Sequence, residues 1–359
     1  MVPAAEVRDV FYPPPKALEI CARDLEVDAA ELRVLPGAVR GVYYKSDIFY
    51  VDVGGSDAPL YVVKVDSGAY DARHEMEALQ YAAWLLGQSS PSEGRSEGGL
   101  GVVRPVGWGA DPNFLITRYQ PGELAQTAFD RVVLRWRGPR PLSEAHANAR
   151  LIARWLGEFR ARGAGDGGGL DPSAYLAEIR NRADALIAPL DARKQMNVLV
   201  RHVEHYLNQL GDEDIARMIQ RYPNRGDARP KNFLVSDEGV LYAFDMEGFG
   251  FGSMEHDLSC LHHALEYDGV RTPAAGRRAS TLWMTFWEEY MQFGSSPPFA
   301  LLGYVYFLLD RMRSSAQSAS GSRLRRRART QVWLRSRFGW LATLTGDLYT
   351  DAVHIKCNV

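Results

Sequence analysis

Apolar and polar positions in the first third of the chain follow two different periods. Short runs rich in Val, Tyr and Ile are typical of β-strands, and they lie at 39–53, 59–65, 102–108 and 113–119. Between them, apolar residues recur at helical intervals over 71–86, and residues 16–33 have the spacing of one or two short helices. The pattern predicts a small, strand-rich unit with one main helix.

Beyond residue 120 the pattern becomes mainly helical. Helices are predicted at 145–161, 173–187, 193–221, 278–293, 299–314 and 322–344. The exception is a pair of short apolar runs, 233–235 and 241–244, joined by turn residues around Glu238-Gly239, which predicts a β-hairpin. A polar, Gly/Ser-rich segment at 87–101 is expected to be an insertion between elements.

This layout predicts an α+β, bilobal fold. Residues 1–118 are expected to form a small β-rich N-terminal lobe that includes a helical extension at its N-terminus. Residues 119–359 are expected to form a large, mainly helical C-terminal lobe. Ligands are expected in the cleft between two such lobes.

Composition narrows the possible classes of function. A net charge of -2 over 359 residues gives no overall attraction to nucleic acid or to a membrane surface. The longest apolar run, 301–309, is shorter than the roughly 20 residues that a membrane-spanning helix needs. No signal-peptide pattern opens the chain, and the cysteines are too widely spaced for a disulfide framework: Cys21, Cys260 and Cys357. These features favour a cytoplasmic protein, in which the tripeptide Arg225-Gly226-Asp227 is not an adhesion signal.

The chemistry-bearing residues lie around the predicted hairpin. Asp227 and Asn232 precede its first strand, and Asp245 follows its second. A hairpin brings these two ends together, so the three side chains are expected to converge. A carboxylate and an amide oxygen suit Mg²⁺, which keeps water and phosphate oxygens as its other ligands. Asp227 is placed to accept a proton from an attacking hydroxyl, and together these groups are those that phosphoryl transfer requires.

The motif "RGDARPKN", followed by "FDMEGFGFG" and "EHDL", resembles the catalytic core of the aminoglycoside phosphotransferase and choline kinase-like families within the protein-kinase-like superfamily. The resemblance implies that Asp227 is the catalytic base, that Asn232 and Asp245 bind Mg²⁺, and that Asp257 anchors the helical lobe. It also implies the bilobal kinase-like fold and the use of ATP.

Two positions in this motif depart from the pattern of related enzymes. Arg225 stands where the family usually has a histidine that braces the loop, and an arginine could do so through a carboxylate. Arg229 stands where protein kinases place a lysine that touches the transferring phosphate. The resemblance therefore implies that Arg229 stabilises charge in the transition state. The alternative for Arg229 is a solvated loop cation.

The resemblance also implies nucleotide-binding residues in the N-terminal lobe. Lys64, in the apolar run "YVVKV", is expected to hold the α- and β-phosphates, and Glu75 or Glu77 to hold Lys64. Glu75 is preferred because it matches the family's Glu-x-x-x-Leu pattern. The alternative is a lysine at a strand end whose ammonium reaches water.

Two further segments match the nucleotide site of the family. The segment 35–44 is a candidate phosphate-covering loop, although a plain turn fits it nearly as well. The segment "FLITRYQPGE" resembles the lobe connector. There, Thr117 would border the adenine pocket, and the backbones of Arg118 and Gln120 would hydrogen-bond adenine.

The predicted function is an ATP- and Mg²⁺-dependent kinase that phosphorylates a hydroxyl of a small-molecule acceptor, such as an antibiotic, nucleoside, sugar or amino alcohol. An aromatic stripe at 283–290 is either helix core or a cage for an acceptor. Between Arg311 and Gly346 there are nine arginines and no acidic residue. They form either a solvated helix face or a basic surface that attracts an anion, a membrane surface or nucleic acid. This excess of positive charge disfavours a polycationic acceptor. The alternatives are a catalytically silent nucleotide-binding scaffold and a protein kinase, the latter disfavoured by the short interval between Asp245 and Asp257.

Overall fold

The structure is a computed structural model, and it describes residues 12–35, 46–54, 58–66, 71–87, 99–135, 139–165, 171–220, 222–252, 255–269, 272–318 and 324–357. Almost all of the candidate phosphate loop at 35–44 and most of the polar segment at 87–101 lie outside these residues. The side chains of the Arg-rich run at 323–330 also lie outside the described set. The predictions for these three segments stay predictions.

Helices and strands occupy most of the described residues. The helices are α1 Pro15–Leu25, α2 Ala72–Leu85, α3 Ala125–Asp130, α4 Pro139–Arg162, α5 Pro172–Leu190, α6 Arg193–Leu207, α7 Asp212–Met218, α8 His256–Gly269, α9 Pro273–Tyr290, α10 Pro297–Ser318, α11 Leu324–Leu341 and α12 Leu348–Cys357. The strands are β1 Leu32–Leu35, β2 Ser46–Val53, β3 Tyr61–Asp66, β4 Leu100–Val102, β5 Pro105–Ala110, β6 Asn113–Arg118, β7 Glu123–Leu124, β8 Tyr222–Asn224, β9 Phe233–Val235, β10 Leu241–Ala243 and β11 Gly250–Gly252. None of the described helices is long and apolar enough to cross a bilayer.

The chain forms two compact units. The first comprises Met1–Glu97, Gly101–Gly122 and Tyr242–Glu247, and the second comprises Gly98–Leu100, Glu123–Leu241 and Gly248–Val359. The domain boundary predicted after residue 118 stays a prediction.

The first unit is built on an antiparallel five-stranded sheet with strand order β1-β2-β3-β6-β5. Alternate residues of a strand point to opposite faces. Tyr61 and Val63 of β3 belong to a fully buried core with Ala17 and Cys21 of α1. Lys64 therefore points to the opposite face, where it contacts α2. This alternation carries a charged side chain from an otherwise apolar strand towards the predicted helix.

The helix α1 is tied to the sheet by a polar cluster. Asp24, in its last turn, lies 2.6 Å from the guanidinium of Arg118 and accepts a hydrogen bond from the Tyr61 hydroxyl at 2.8 Å. The Arg118 guanidinium also lies 4.5 Å from the centre of the Tyr61 ring, an arrangement that favours a cation–π contact. The side chain of Arg118 thus joins β6 to the N-terminal extension.

The core of the second unit centres on helices α4 and α9. The predicted helix at 145–161 lies within α4, and its residues Ile152, Trp155 and Phe159 are fully buried. The Trp155 ring stacks on Phe159 and meets Phe233 of β9 edge-on, with centroid distances of 4.8 and 5.8 Å. The aromatic stripe of α9 is also buried and is therefore core: Trp283, Phe286, Trp287 and Tyr290.

The hairpin after the Asp227 motif is present where the pattern predicts it. The Ser236 amide donates to the Val240 carbonyl at 2.9 Å, and Gly239 has a φ of 77°. Such a φ favours glycine because it has no Cβ. The strand β9 pairs with β7 in an antiparallel register.

One prediction from the periodicity was wrong, and one strand pairing was missed. The helix expected over 193–221 is two helices, because α6 ends at Leu207 and Gly211 occupies the N-cap of α7 with an extended φ of -78° and ψ of 168°. The pairing of β8 with β11, in which Asn224 faces Gly250, was not predicted at all.

Candidate active site

A lysine in the first unit is bound between two acidic residues. The Lys64 ammonium lies 3.0 Å from Glu75 Oε2 and 2.7 Å from Asp245 Oδ1. It also lies 3.7 Å from Glu247, whereas Glu77 pairs with Arg73 on the exposed side of α2. Of the two candidate glutamates, Glu75 is the one that contacts the lysine.

Glu75 links the lysine to the backbone that carries Asp245. Its side chain is 2% exposed, and its second oxygen accepts a hydrogen bond from the Met246 amide at 3.0 Å. Asp245 itself has a φ of 60°, in a left-handed region that aspartate tolerates better than most residues. One carboxylate on α2 therefore orients both the lysine and the segment after β10.

The charge of Lys64 is stabilised by this environment. Burial lowers the pKa of its ammonium, but the charges of Glu75 and Asp245 and the hydrogen bonds to them outweigh burial and raise it above the ordinary value. Lys64 is therefore positively charged at physiological pH and can bind phosphate oxygens.

In the second unit, the loop that carries Asp227 is held by Asp257, at the start of α8. The Asp257 carboxylate accepts hydrogen bonds from the backbone amides of Arg225 at 2.6 Å and Gly226 at 2.9 Å. Gly226 has a φ of 88°, and a Cβ on it would lie 1.9 Å from the carbonyl oxygen of Gly248. The close approach of two backbone segments explains why the middle residue of the tripeptide is glycine.

Arg225 braces the same loop from inside the protein. It is fully buried, and its guanidinium donates to the backbone carbonyls of Asp227 and Asn232, the latter at 3.2 Å. Its positive charge lies 5.0 Å from the centre of the Phe233 ring. An arginine could have braced the loop through a carboxylate. Here its guanidinium donates to two carbonyl oxygens, and the contact with Asp257 runs through the Arg225 backbone amide.

The carboxylate of Asp227 is surrounded by donors. Arg229 donates to both of its oxygens in a fork, the Asn232 amide donates to Oδ2 at 3.1 Å, and the Lys231 ammonium lies 3.9 Å away. Burial raises the pKa of Asp227, but the hydrogen bond and charge of Arg229, with the charges of Arg225 and Lys231, bring the net pKa below its ordinary value. Asp227 is therefore ionised at neutral pH.

The predicted site residues fall into two groups. Lys64, Glu75 and Asp245 meet in the first unit, which also contains Arg118 and Gln120. The Arg118 amide donates to the Arg104 carbonyl at 2.8 Å, so its carbonyl is the backbone group that could accept from adenine. The second unit brings together Asp227, Arg229 and Asn232.

The sequence patterns did not single out Lys231, although it is four residues from Asp227 and next to Asn232. The i, i+4 spacing is a signal only on a helix, and here Asp227 precedes a 3₁₀ turn of three residues, Pro230–Asn232. No local signal therefore identifies Lys231.

The structure is similar to solved structures of small-molecule kinases. A choline/ethanolamine kinase family protein from Mesorhizobium loti matches with a TM-score of 0.54 and 12% identity, over 90% of this chain and 92% of that one. Choline kinase LicA from Streptococcus pneumoniae matches with a TM-score of 0.52 and 16% identity, over 92% of this chain and 99% of that one. A GDP complex of a mutant aminoglycoside 2′-phosphotransferase-IIIa matches with a TM-score of 0.50 and 13% identity, over 91% of this chain and 95% of that one.

These likenesses confirm the predicted α+β, kinase-like fold. They fall on choline kinase-like and aminoglycoside phosphotransferase structures, which are those that the catalytic motif resembles. No protein-family model matches the chain, and no curated protein matches its sequence. At identities of 12–16% the structural likeness shows the fold, and the activity is a separate question.

Proposed function

We propose that this protein is an ATP-dependent kinase that transfers the γ-phosphoryl group to a hydroxyl of a small-molecule acceptor. The observation that carries the proposal is the binding of Lys64 between Glu75 and Asp245, because an ammonium that is only 16% exposed needs partners of opposite charge to remain in an apolar strand. The fold supports it, since the three solved structures described above are named as a choline/ethanolamine kinase family protein, a choline kinase and an aminoglycoside phosphotransferase.

The proposed reaction is an in-line displacement. The acceptor oxygen forms a bond to the γ-phosphorus, the bond between that phosphorus and the β,γ-bridging oxygen breaks, and ADP leaves. Asp227 accepts the hydroxyl proton, Lys64 binds the α- and β-phosphates, and Arg229 moves from Asp227 to the transferring phosphoryl group. Once Arg229 has left it, the Asp227 carboxylate is available to orient the hydroxyl and to accept its proton.

Asn232 and Asp245 remain the proposed ligands of a magnesium ion. Asn232 uses its amide nitrogen on the carbonyl and the carboxylate of Asp227, at 2.9 and 3.1 Å, so its amide oxygen is the atom available for a cation. Together with the Asp245 carboxylate it would supply two hard oxygen ligands and leave the remaining positions to water and phosphate oxygens. When bound, the ion would neutralise charge that develops on the phosphates.

The adenine-binding role of the Arg118 carbonyl and the Gln120 amide follows from the sequence resemblance and remains part of the proposal. The acceptor classes that we expected also remain open at this stage: antibiotic, nucleoside, sugar or amino alcohol.

A silent nucleotide-binding scaffold is the second candidate. The observation that favours it is the Arg229 fork, which engages both oxygens of Asp227. In a scaffold this pair would be permanent, whereas in a kinase it must open when ATP and the acceptor bind.

ATP consumption separates the two candidates. The protein is incubated with ATP, Mg²⁺ and a panel of hydroxylated compounds, and wild type is compared with Asp227→Asn. A kinase should release ADP with at least one acceptor and lose about 100-fold or more in rate in the variant. Binding of ATP without transfer, and with no effect of the substitution, would favour the scaffold.

The metal assignment has its own test. Thermal stabilisation by ATP should depend on Mg²⁺ in wild type and weaken in Asp245→Ala. Asp237→Ala, in the turn of the hairpin, is the matched control. Equal stabilisation of both variants would count against Asp245 as a ligand.

A further inference from the structure

One carboxylate of helix α1 contacts two neighbouring strands of the sheet in the first unit. Asp24 Oδ2 lies 2.6 Å from the guanidinium of Arg118, at the end of β6, and Oδ1 lies 3.6 Å from that of Arg104, just before β5. The backbones of the two arginines are also bonded, because the Arg118 amide donates to the Arg104 carbonyl at 2.8 Å. The three residues therefore form a closed ring of contacts.

The Asp24 carboxylate is held in place by the core of the same unit. The hydroxyl of Tyr61, whose ring is fully buried against α1, donates to Asp24 Oδ2 at 2.8 Å. Burial raises the pKa of this hydroxyl, and the hydrogen bond to Asp24 raises it further, so the hydroxyl remains a donor at neutral pH. The side chains of Asp24 and Arg118 are only 21% and 28% exposed. Water therefore screens this ion pair less than an exposed one.

The Arg118 side chain lies on the face of the sheet opposite Lys64. Arg118 is directly opposite Tyr61 in the antiparallel register of β6 and β3, and directly opposite residues project to the same face. Tyr61 faces α1, whereas Lys64, three positions further along β3, faces α2. Asp24 therefore holds the end of β6 from behind, on the face away from the lysine that is proposed to bind phosphate.

The backbone that follows β6 has a fixed orientation. The Tyr119 amide donates to the Leu60 carbonyl at 2.8 Å. A trans peptide points its N–H and C=O in opposite directions, so the Arg118 carbonyl points away from Leu60. The Tyr119 ring also meets the ring of Tyr50 on β2 edge-on, with centroids 6.0 Å apart. The bonds of the backbone amides do not depend on residue identity, whereas the contact of Arg118 with Asp24 does, and a substitution can remove it.

Resting on the proposed kinase function, we propose that Asp24 is a positioning residue for the nucleotide. It holds Arg118 and thereby sets in advance the orientation of the backbone at 118–120, to which adenine binds. A site that is already ordered loses less freedom when its ligand binds, and it therefore binds more tightly. Helix α1, which precedes the sheet, thus contributes to nucleotide affinity although it touches no part of the nucleotide.

Isothermal titration calorimetry of the full chain with ATP or ADP, in the presence of Mg²⁺, measures this contribution. Asp24→Asn keeps the shape of the side chain but removes its charge, and it should raise the Kd of either nucleotide by about five-fold or more. Arg118→Gln removes the partner and should have a similar effect. In assays of ATP consumption, the KM for ATP should rise by the same factor while kcat stays within about two-fold, because Asp24 contacts none of the reacting groups.

A double-mutant cycle tests whether the two residues act as a pair. If Asp24 acts through Arg118, the double variant should bind ATP about as weakly as either single variant, whereas independent effects would multiply to about 25-fold. Asp52→Asn is the matched control, because Asp52 is a carboxylate of the same sheet that lies 3.3 Å from Arg33. This control should change the Kd by less than about two-fold. Urea unfolding verifies that each variant is folded.

The contrary outcomes are distinct. An unchanged Kd in Asp24→Asn, effects that multiply in the double variant, or an equal loss of affinity in Asp52→Asn overturns the role of Asp24 and leaves the kinase proposal standing. If Asp24→Asn does not fold, an unchanged Kd in Arg118→Gln overturns it equally. If wild type binds ATP but transfers phosphate to no acceptor, the kinase proposal fails while the expected losses of affinity still support Asp24. If wild type does not bind ATP, both fail.

Discussion

Replacement of the buried Arg225 by methionine tests how the loop that carries Asp227 is held. Methionine fills much of the same volume but has no donors for the carbonyls of Asp227 and Asn232. A hydrogen bond from a charged donor contributes about 1.5–3 kcal/mol, and the loss of a donor leaves a buried acceptor at a cost of about 1–3 kcal/mol. The cation–π contact with Phe233 adds about 1–2 kcal/mol.

These contributions overlap, because the Asp227 carbonyl still accepts from the Asn232 amide at 2.9 Å in the variant. We therefore expect Arg225→Met to lower the free energy of unfolding by about 3–5 kcal/mol. Arg225→Lys keeps the charge and one donor, and should cost about 1–2 kcal/mol. Any ATP consumption should fall by about 100-fold in the methionine variant, because Asp227 is no longer held in place.

The assay is urea unfolding followed by tryptophan fluorescence, with ATP consumption measured on the same preparations. Arg217→Met is the control, because Arg217 is an exposed partner of Glu213 on α7, and its loss should cost less than about 0.5 kcal/mol. If Arg225→Met were as stable as this control and equally active, the buried guanidinium would not brace the loop.

Three further predictions follow from single positions. Acidification from pH 7 to 5 should destabilise the protein by about 2 kcal/mol through His263. Burial lowers the pKa of His263 to about 3 in the folded protein, whereas in the unfolded chain the imidazole binds a proton below about pH 6.5. The folded protein therefore keeps His263 neutral over this range, and protonation favours the unfolded chain. Urea unfolding should show this loss and His263→Phe should reduce it, whereas identical pH dependence would exclude His263. Gly226→Ala should cost about 3 kcal/mol or more because its Cβ would overlap the Gly248 carbonyl, and Gly239→Ala, which faces open space, about 1 kcal/mol; equal losses in thermal unfolding would contradict the overlap. Glu75→Gln should reduce ATP consumption by about 100-fold, because it removes the carboxylate charge that pairs with Lys64. An unchanged rate would contradict this role of Glu75.

The elements that could be predicted from sequence have strong local signals. The helix α2 and the strands β2 and β3 have clear periods, and the hairpin at β9 has turn residues at the required positions. The pairing of β8 with β11 could not be predicted, because Tyr222–Asn224 contains a proline and Gly250–Gly252 two glycines, and both residues are depleted in strands. Only the tertiary contact between these segments makes them strands.

The candidate site shows the same division. The spacing of the motif singled out Asp227, Asn232 and Asp245, and the choice of Glu75 over Glu77 followed from a side-chain pattern. The Arg225 guanidinium donates to backbone carbonyls, which every residue has, so the amino-acid sequence does not reveal these contacts. The packing of α10 against α8 is likewise a tertiary contact that no local pattern encodes.

Transfer of a labelled γ-phosphoryl group tests the central claim most directly. The protein is incubated with γ-labelled ATP, Mg²⁺ and a panel of hydroxylated compounds, and phosphoesters are separated from inorganic phosphate. Wild type should form a labelled phosphoester, while Asp227→Asn and Lys64→Met should form none, although Asp227→Asn still binds ATP. Magnesium-dependent binding of ATP by wild type, without a labelled ester from any acceptor, would contradict the account.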